Sequence, residues 1–146
     1  MDILSRIAGR KTYLDVNVFI YALEGFPEVS HALETLFKAI DSAAIQTVTS
    51  ELALAEALIK PIQNTNIQHQ AFYEMAIRSR RGLEVVPVLR TILLEAARLR
   101  GTTGLKLPDA IHLATALSSG CEVFLTNDHR IKHAGLKTLL LQDFAR

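Results

Sequence analysis

The chain has 146 residues, 49% hydrophobic and 21% charged, a balance that excludes an intrinsically disordered protein. Its 16 basic and 15 acidic residues leave a formal charge of +1. That excludes a global basic field, so a nucleic-acid partner would have to be met by a local patch or by bound cations. The single cysteine, Cys121, excludes an internal disulfide and a cysteine-based zinc site, and reads as a small buried apolar residue.

The length fits one domain, residues 1–146, which buries roughly 70% of its unfolded surface. The start, Met1 to Arg6, lacks a signal-peptide core, and no apolar run approaches the ~18 residues of a membrane helix. The expectation is a soluble, cytoplasmic protein with no membrane partner.

Residues 1–11 read as an arm or a short helix. Thr12 to Val16 is β-branched and aromatic and predicts a buried strand, followed by a short helix from Asn17 to about Glu24. Gly25-Phe26-Pro27 breaks it. Val29, Leu33, Leu36, Phe37 and Ile40 keep helical spacing from Pro27 onward. Ile45 to Thr49 predicts a second strand. Ser50 is placed to cap a helix running through Leu58 and stopped by Pro61. Asn66 is placed to cap a fourth helix, closed by Gly82. Leu83 to Val86 predicts a third strand, and an apolar stripe from Leu89 to Leu99 predicts a helix stopping at Gly101, with a loop over Thr102 to Lys106. Leu107-Pro108-Asp109 opens a sixth helix that ends at Gly120. Strands follow at Glu122 to Thr126 and Lys137 to Leu141.

Strands alternating with helices predict an α/β fold with a mostly parallel central sheet between two helical layers, α/β/α. Ligand sites in such sheets lie beyond the carboxyl ends of the strands. Asp15 ends the first strand and Asp128 follows the fourth. Asp109 opens the sixth helix, and Glu56 interrupts the apolar run Leu54 to Leu58. Each has a bland alternative: a first-turn acid for Asp109, a turn residue for Asp128. One rim nevertheless explains all four. Carboxylates crowded there raise one another's pKa unless a cation intervenes. An oxygen-rich, cysteine-free set suits Mg²⁺ or Mn²⁺ better than Zn²⁺. Such an ion activates water and clamps a phosphodiester.

Four stretches then resemble, in order, the motifs of PIN-domain ribonucleases of the VapC-type toxin family. They are Leu14-Asp15-Val16-Asn17-Val18-Phe19-Ile20-Tyr21-Ala22, Thr49 to Glu56, Leu107-Pro108-Asp109-Ala110-Ile111-His112-Leu113-Ala114-Thr115-Ala116, and Phe124-Leu125-Thr126-Asn127-Asp128. They cover most of the chain. The resemblance implies a Mg²⁺- or Mn²⁺-dependent endoribonuclease that hydrolyses RNA phosphodiester bonds, the toxin of a type II toxin–antitoxin pair. It also implies a homodimer and an inhibitory antitoxin partner. It assigns Asp15, Glu56, Asp109 and Asp128 to catalysis and the metal, with Asn17 and Thr126 as supporting polar residues. Arg130 and Lys132, just past Asp128, are candidates for RNA phosphates. His112, one turn after Asp109, lies within reach of the rim, but a packed or exposed role is favoured.

Two other phosphate-handling classes fit less well. Haloacid-dehalogenase-type hydrolases need a second Asp where this chain has Asn17, and response-regulator receivers need an acid pair near the first strand and a Lys after the last. A non-catalytic RNA-binding or protein-interaction module on the same fold is the alternative function.

Overall fold

The computed structural model describes residues 2–145. The elements are α1 (Ile3–Ile7), β1 (Thr12–Leu14), α2 (Val16–Glu24), α3 (Ser30–Asp41), β2 (Thr47–Ser50), α4 (Glu51–Gln63), α5 (Ile67–Ala76), β3 (Leu83–Val86), α6 (Arg90–Thr103), α7 (Leu107–Ser118), β4 (Val123–Thr126) and β5 (Lys137–Leu140). Short 3₁₀ turns at Pro27–Val29 and Leu141–Phe144 complete it.

The five strands form one parallel sheet in the order β3-β2-β1-β4-β5. Along β1 the side chains alternate between faces, as the two-residue strand period requires. Tyr13 packs with Val48 and Phe124 against α6 and α7, in a core that includes Ile92, Ala96, Ile111 and Leu113. Leu14 and Leu125 pack on the other face against Val18, Phe19, Leu36, Ile40 and Ala53. Both faces of the sheet are thus covered, giving the expected three layers. The chain moves from β1 outward through β2 and β3, then returns to build β4 and β5 on the other side. β1 and β4 therefore flank the switch point, where open α/β sheets place their ligands.

Several boundaries differ from the sequence expectation. The first strand stops at Leu14, because Asp15 adopts the extended conformation of a helix N-cap and its carboxylate takes the Val16 N–H at 2.8 Å. Pro61 does not end its helix, which runs to Gln63 with Pro61 buried. A proline this close to the end removes one N–H without cutting short the last turn. The Asn64 N–H closes that turn on the Lys60 carbonyl at 2.9 Å. Gly101 lies inside α6, and the stop falls at Gly104, whose positive φ of 76° suits glycine. The Thr102 and Thr103 hydroxyls, expected in a loop, donate to the Arg98 and Leu99 carbonyls at 3.0 and 2.6 Å. Residues 3–7 are a helix, capped by Asp2 and anchored by buried Ile3 and Ile7.

Gly82 does not close α5, which ends at Ala76. Its constraint is distant in sequence: a Cβ there would lie 2.0 Å from the Ile40 carbonyl oxygen.

Cys121 is buried, and burial pushes its thiol pKa up to about 12. The folded protein is expected to resist a thiol reagent at neutral pH and to react fully in denaturant. Prompt labelling of the native chain would contradict this placement.

Candidate metal and nuclease site

The site begins with the end of β1. The Asp15 N–H continues the sheet ladder to the Leu125 carbonyl at 3.0 Å, which fixes the backbone beside β4. One carboxylate oxygen caps α2 through the Val16 N–H, where the helix dipole favours negative charge. The other accepts the Thr126 hydroxyl at 2.6 Å. That hydroxyl in turn accepts the Asp128 N–H at 3.0 Å. Thr126 thus ties the first acid to the loop that carries the last. Asn17 acts on the same loop, its side-chain oxygen accepting the Asn127 N–H at 3.2 Å. Asn127 donates its amide to the Tyr21 hydroxyl at 3.2 Å, and among the described residues its own buried side-chain oxygen meets no hydrogen-bond donor.

Asp109 stands half-buried in the first turn of α7, after Pro108. Its pKa is raised, first by burial and then by the carboxylates of Asp15 and Asp128, against an opposite pull from His112 and Arg130. Asp109 therefore feels the charge of acids carried by two other segments. Asp128 behaves differently. Both its oxygens accept the Arg130 side chain, at 2.9 and 2.7 Å, and this pair holds its pKa below the ordinary value. The guanidinium is largely exposed, so the pair is open to exchange with solvent ions.

Glu56 lies in the second turn of α4 and does not stand free. One of its oxygens meets His112 Nε2 at 2.5 Å, while His112 Nδ1 meets the Tyr13 hydroxyl at 2.6 Å. The same Nε2 is 3.9 Å from Asp15. Burial alone would depress the His112 pKa. The Glu56 hydrogen bond and the charges of Asp15 and Asp109 outweigh it and raise the pKa. His112 is packed, at 1% exposure, and sits between Tyr13 and Glu56 with Asp15 nearby. The sequence signal was its position one turn after Asp109 on the same helical face. Its partner Tyr13 carried no such signal.

These oxygens are the donors a hard divalent cation takes, and the crowding felt by Asp109 is the penalty such an ion removes. Among the described residues, however, no three acid or imidazole groups converge as placed to hold one ion. Arg130 holds Asp128 and His112 holds Glu56, so loading would require Asp128 to exchange its guanidinium for the cation. Lys132 is exposed past Arg130, while Arg80 is bound to Asp41 and to the Ala76 and Arg78 carbonyls.

The raised Asp109 pKa has a consequence for stability. Between the ordinary aspartate value and the raised one, the folded state binds more protons than the unfolded state. Stability therefore falls as pH rises through that window. Asp109→Asn is expected to raise the melting temperature of the metal-free protein at neutral pH, and the gain should vanish at pH below the ordinary aspartate value. An unchanged or lowered melting temperature at neutral pH would mean the carboxylate is not under this strain.

Residues 12–137 match the family model described as the PIN domain. A comparison with curated proteins gives no match. Among solved structures, a toxin–antitoxin complex from Klebsiella pneumoniae aligns with 23% identity and a TM-score of 0.66, over 89% of this chain and 97% of that one. VapBC2 from Rickettsia felis, bound to a DNA fragment from its promoter, aligns with 16% identity and a TM-score of 0.69, over 89% and 98%. Mycobacterium tuberculosis VapC20, a sarcin–ricin-loop-cleaving toxin, aligns with 18% identity and a TM-score of 0.59, over 77% and 86%. At these identities the likeness is one of fold.

Proposed function

The chain belongs to the PIN domain family, and from that premise we propose that it is a Mg²⁺- or Mn²⁺-dependent endoribonuclease, the toxin of a type II toxin–antitoxin pair. One observation carries the proposal: beside the β1/β4 switch point Thr126 ties the Asp15 carboxylate to the loop carrying Asp128, and both acids bear on Asp109. Asp15, Asp109 and Asp128 would hold the cation, and Glu56 would hold it or orient its water. A cation there would activate water for attack on phosphorus and stabilise charge on the phosphate and the leaving oxygen. Asn17 and Thr126 keep the Asp128 loop registered against Asp15. Arg130, once displaced from Asp128, and Lys132 would meet RNA phosphates.

RNA as substrate draws support from the similar fold of a toxin named for cleaving an RNA loop. The antitoxin draws support from a similar fold solved as a toxin–antitoxin complex. An open groove of about 740 Å³, lined by Leu33, Phe37, Phe72 and Met75 among others, offers a protein partner apolar surface. A homodimer and a cytoplasmic location complete the proposal. Among the described residues no helix is long and apolar enough to cross a membrane.

The purified chain, freed of any co-purifying antitoxin, is expected to cleave single-stranded or loop RNA with Mg²⁺ or Mn²⁺, and EDTA should abolish the activity. A broad RNA panel left intact with either metal would overturn the enzyme. The non-catalytic module on the same fold has one observation in its favour, the pairing of Asp128 with Arg130 and of Glu56 with His112. The same assay separates the two.

A further inference from the structure

We propose that His112 is a positioning residue of this site: held by Tyr13, it fixes the Glu56 carboxylate beside Asp15. The inference rests on the metal site proposed above and deepens it.

The protonation pattern follows from the partners. An ionised carboxylate only accepts, so His112 Nε2 carries the proton in the contact with Glu56. Nδ1 bonds Tyr13 in either state of the ring: it accepts from the hydroxyl when neutral and donates its N–H to the hydroxyl oxygen when protonated. Tyr13 is itself fixed. It is fully buried on β1, with its ring stacked on Phe124 at 5.0 Å between centroids. His112 is almost fully buried on α7.

The rigidity of the sheet therefore passes from Tyr13 through the imidazole to Glu56. That carboxylate is on a flexible side chain, and its 28% exposure would otherwise let it turn to solvent. Asp15 leaves the same strand two residues after Tyr13. One short strand thus sets both acids, the first through its backbone and the second through a buried hydrogen-bonded relay. The Nε2 nitrogen lies 2.5 Å from a Glu56 oxygen and 3.9 Å from an Asp15 oxygen, so one buried imidazole faces both carboxylates. Any buried histidine needs partners for its ring nitrogens; what points to the site is that one of these partners is a carboxylate beside Asp15.

The test is Mn²⁺ affinity of the full chain, measured by calorimetry and by the spin-resonance signal of free Mn²⁺, with RNA cleavage as a second readout. His112→Leu is expected to bind Mn²⁺ about 10–100-fold more weakly, the range for lost outer-shell support. Its kcat should fall with little change in KM. His112→Gln, whose amide still donates, should recover part of the loss. In a Glu56→Gln background, His112→Leu should cost nothing further.

A folded His112→Leu with parental affinity, beside a weakened Glu56→Gln, overturns this inference alone. A parent that binds no Mn²⁺ overturns the proposed metal site and this inference with it; Glu56→Gln with both parental affinity and parental kcat overturns the role of Glu56 and this inference with it. Should His112→Leu fail to fold, Tyr13→Phe decides, because it deletes one hydroxyl: several-fold weaker Mn²⁺ binding supports the relay and parental binding overturns it.

Discussion

Asp15→Asn is expected to reduce RNA cleavage about 10³-fold or more while the metal-free protein stays folded. The size follows from the several kcal/mol that a bound cation contributes to phosphoryl chemistry, at a factor of ten per 1.36 kcal/mol. Asparagine keeps the oxygen that caps α2 through Val16 but deletes the charge that would hold the ion. Two stability effects then oppose each other. The Thr126 hydroxyl loses a charged acceptor, a bond worth about 1.5–3 kcal/mol. Asp109 is relieved of a neighbouring negative charge that raises its pKa. Among the described residues no basic side chain forms a close ion pair with Asp15, His112 being 3.9 Å away, so neutralisation strands no tightly bound cation there. The melting temperature in EDTA should therefore move by only a few degrees, about 2–4 °C per kcal/mol at this size. Cleavage at the parental rate would remove Asp15 from the mechanism. Loss of activity through unfolding would make it a structural acid.

Gly82→Ala is expected to destabilise the protein by about 3 kcal/mol, the upper end of overpacking costs, with a fall of about 6–12 °C in melting temperature. The added Cβ would meet the Ile40 carbonyl oxygen at 2.0 Å and its carbon at 2.9 Å. Backbone, unlike the end of a flexible side chain, cannot swing away. Relief must come from separating the end of α3 from the chain entering β3. That movement disturbs the Gly82 carbonyl, which accepts both the Thr47 N–H at 2.9 Å and the Thr47 hydroxyl at 2.6 Å. The start of the β2–β3 pairing depends on those bonds. A melting temperature within 2 °C of the parent would show that the approach relaxes freely.

Gly82 also shows where local reading stops. In the sequence it follows a helical pattern and reads as a terminator, whereas its constraint comes from Ile40, on another helix. Pro61 and Gly101 mislead in the same way. Both are breakers by propensity, but burial at Pro61 and threonine back-bonding beyond Gly101 carry the helices past them. The acids were legible for a physical reason. A parallel sheet sends the carboxyl ends of all its strands to one rim, so Asp15 and Asp128, at strand ends, and Asp109, at a helix start, fall there once the alternation of elements is recognised. What occupies those acids was not legible. The Arg130 clasp on Asp128 depends on a loop rotamer. The His112 relay joins Tyr13 to a residue 99 positions away through side chains that read singly as core.

The most direct measurement is the anomalous scattering of Mn²⁺ in crystals of the purified chain. A peak among Asp15, Asp109 and Asp128, with Arg130 turned away from Asp128, is the predicted result. No Mn²⁺ at saturating concentration, or a peak elsewhere with the Arg130–Asp128 pair intact, would contradict a carboxylate metal site at the β1/β4 switch point.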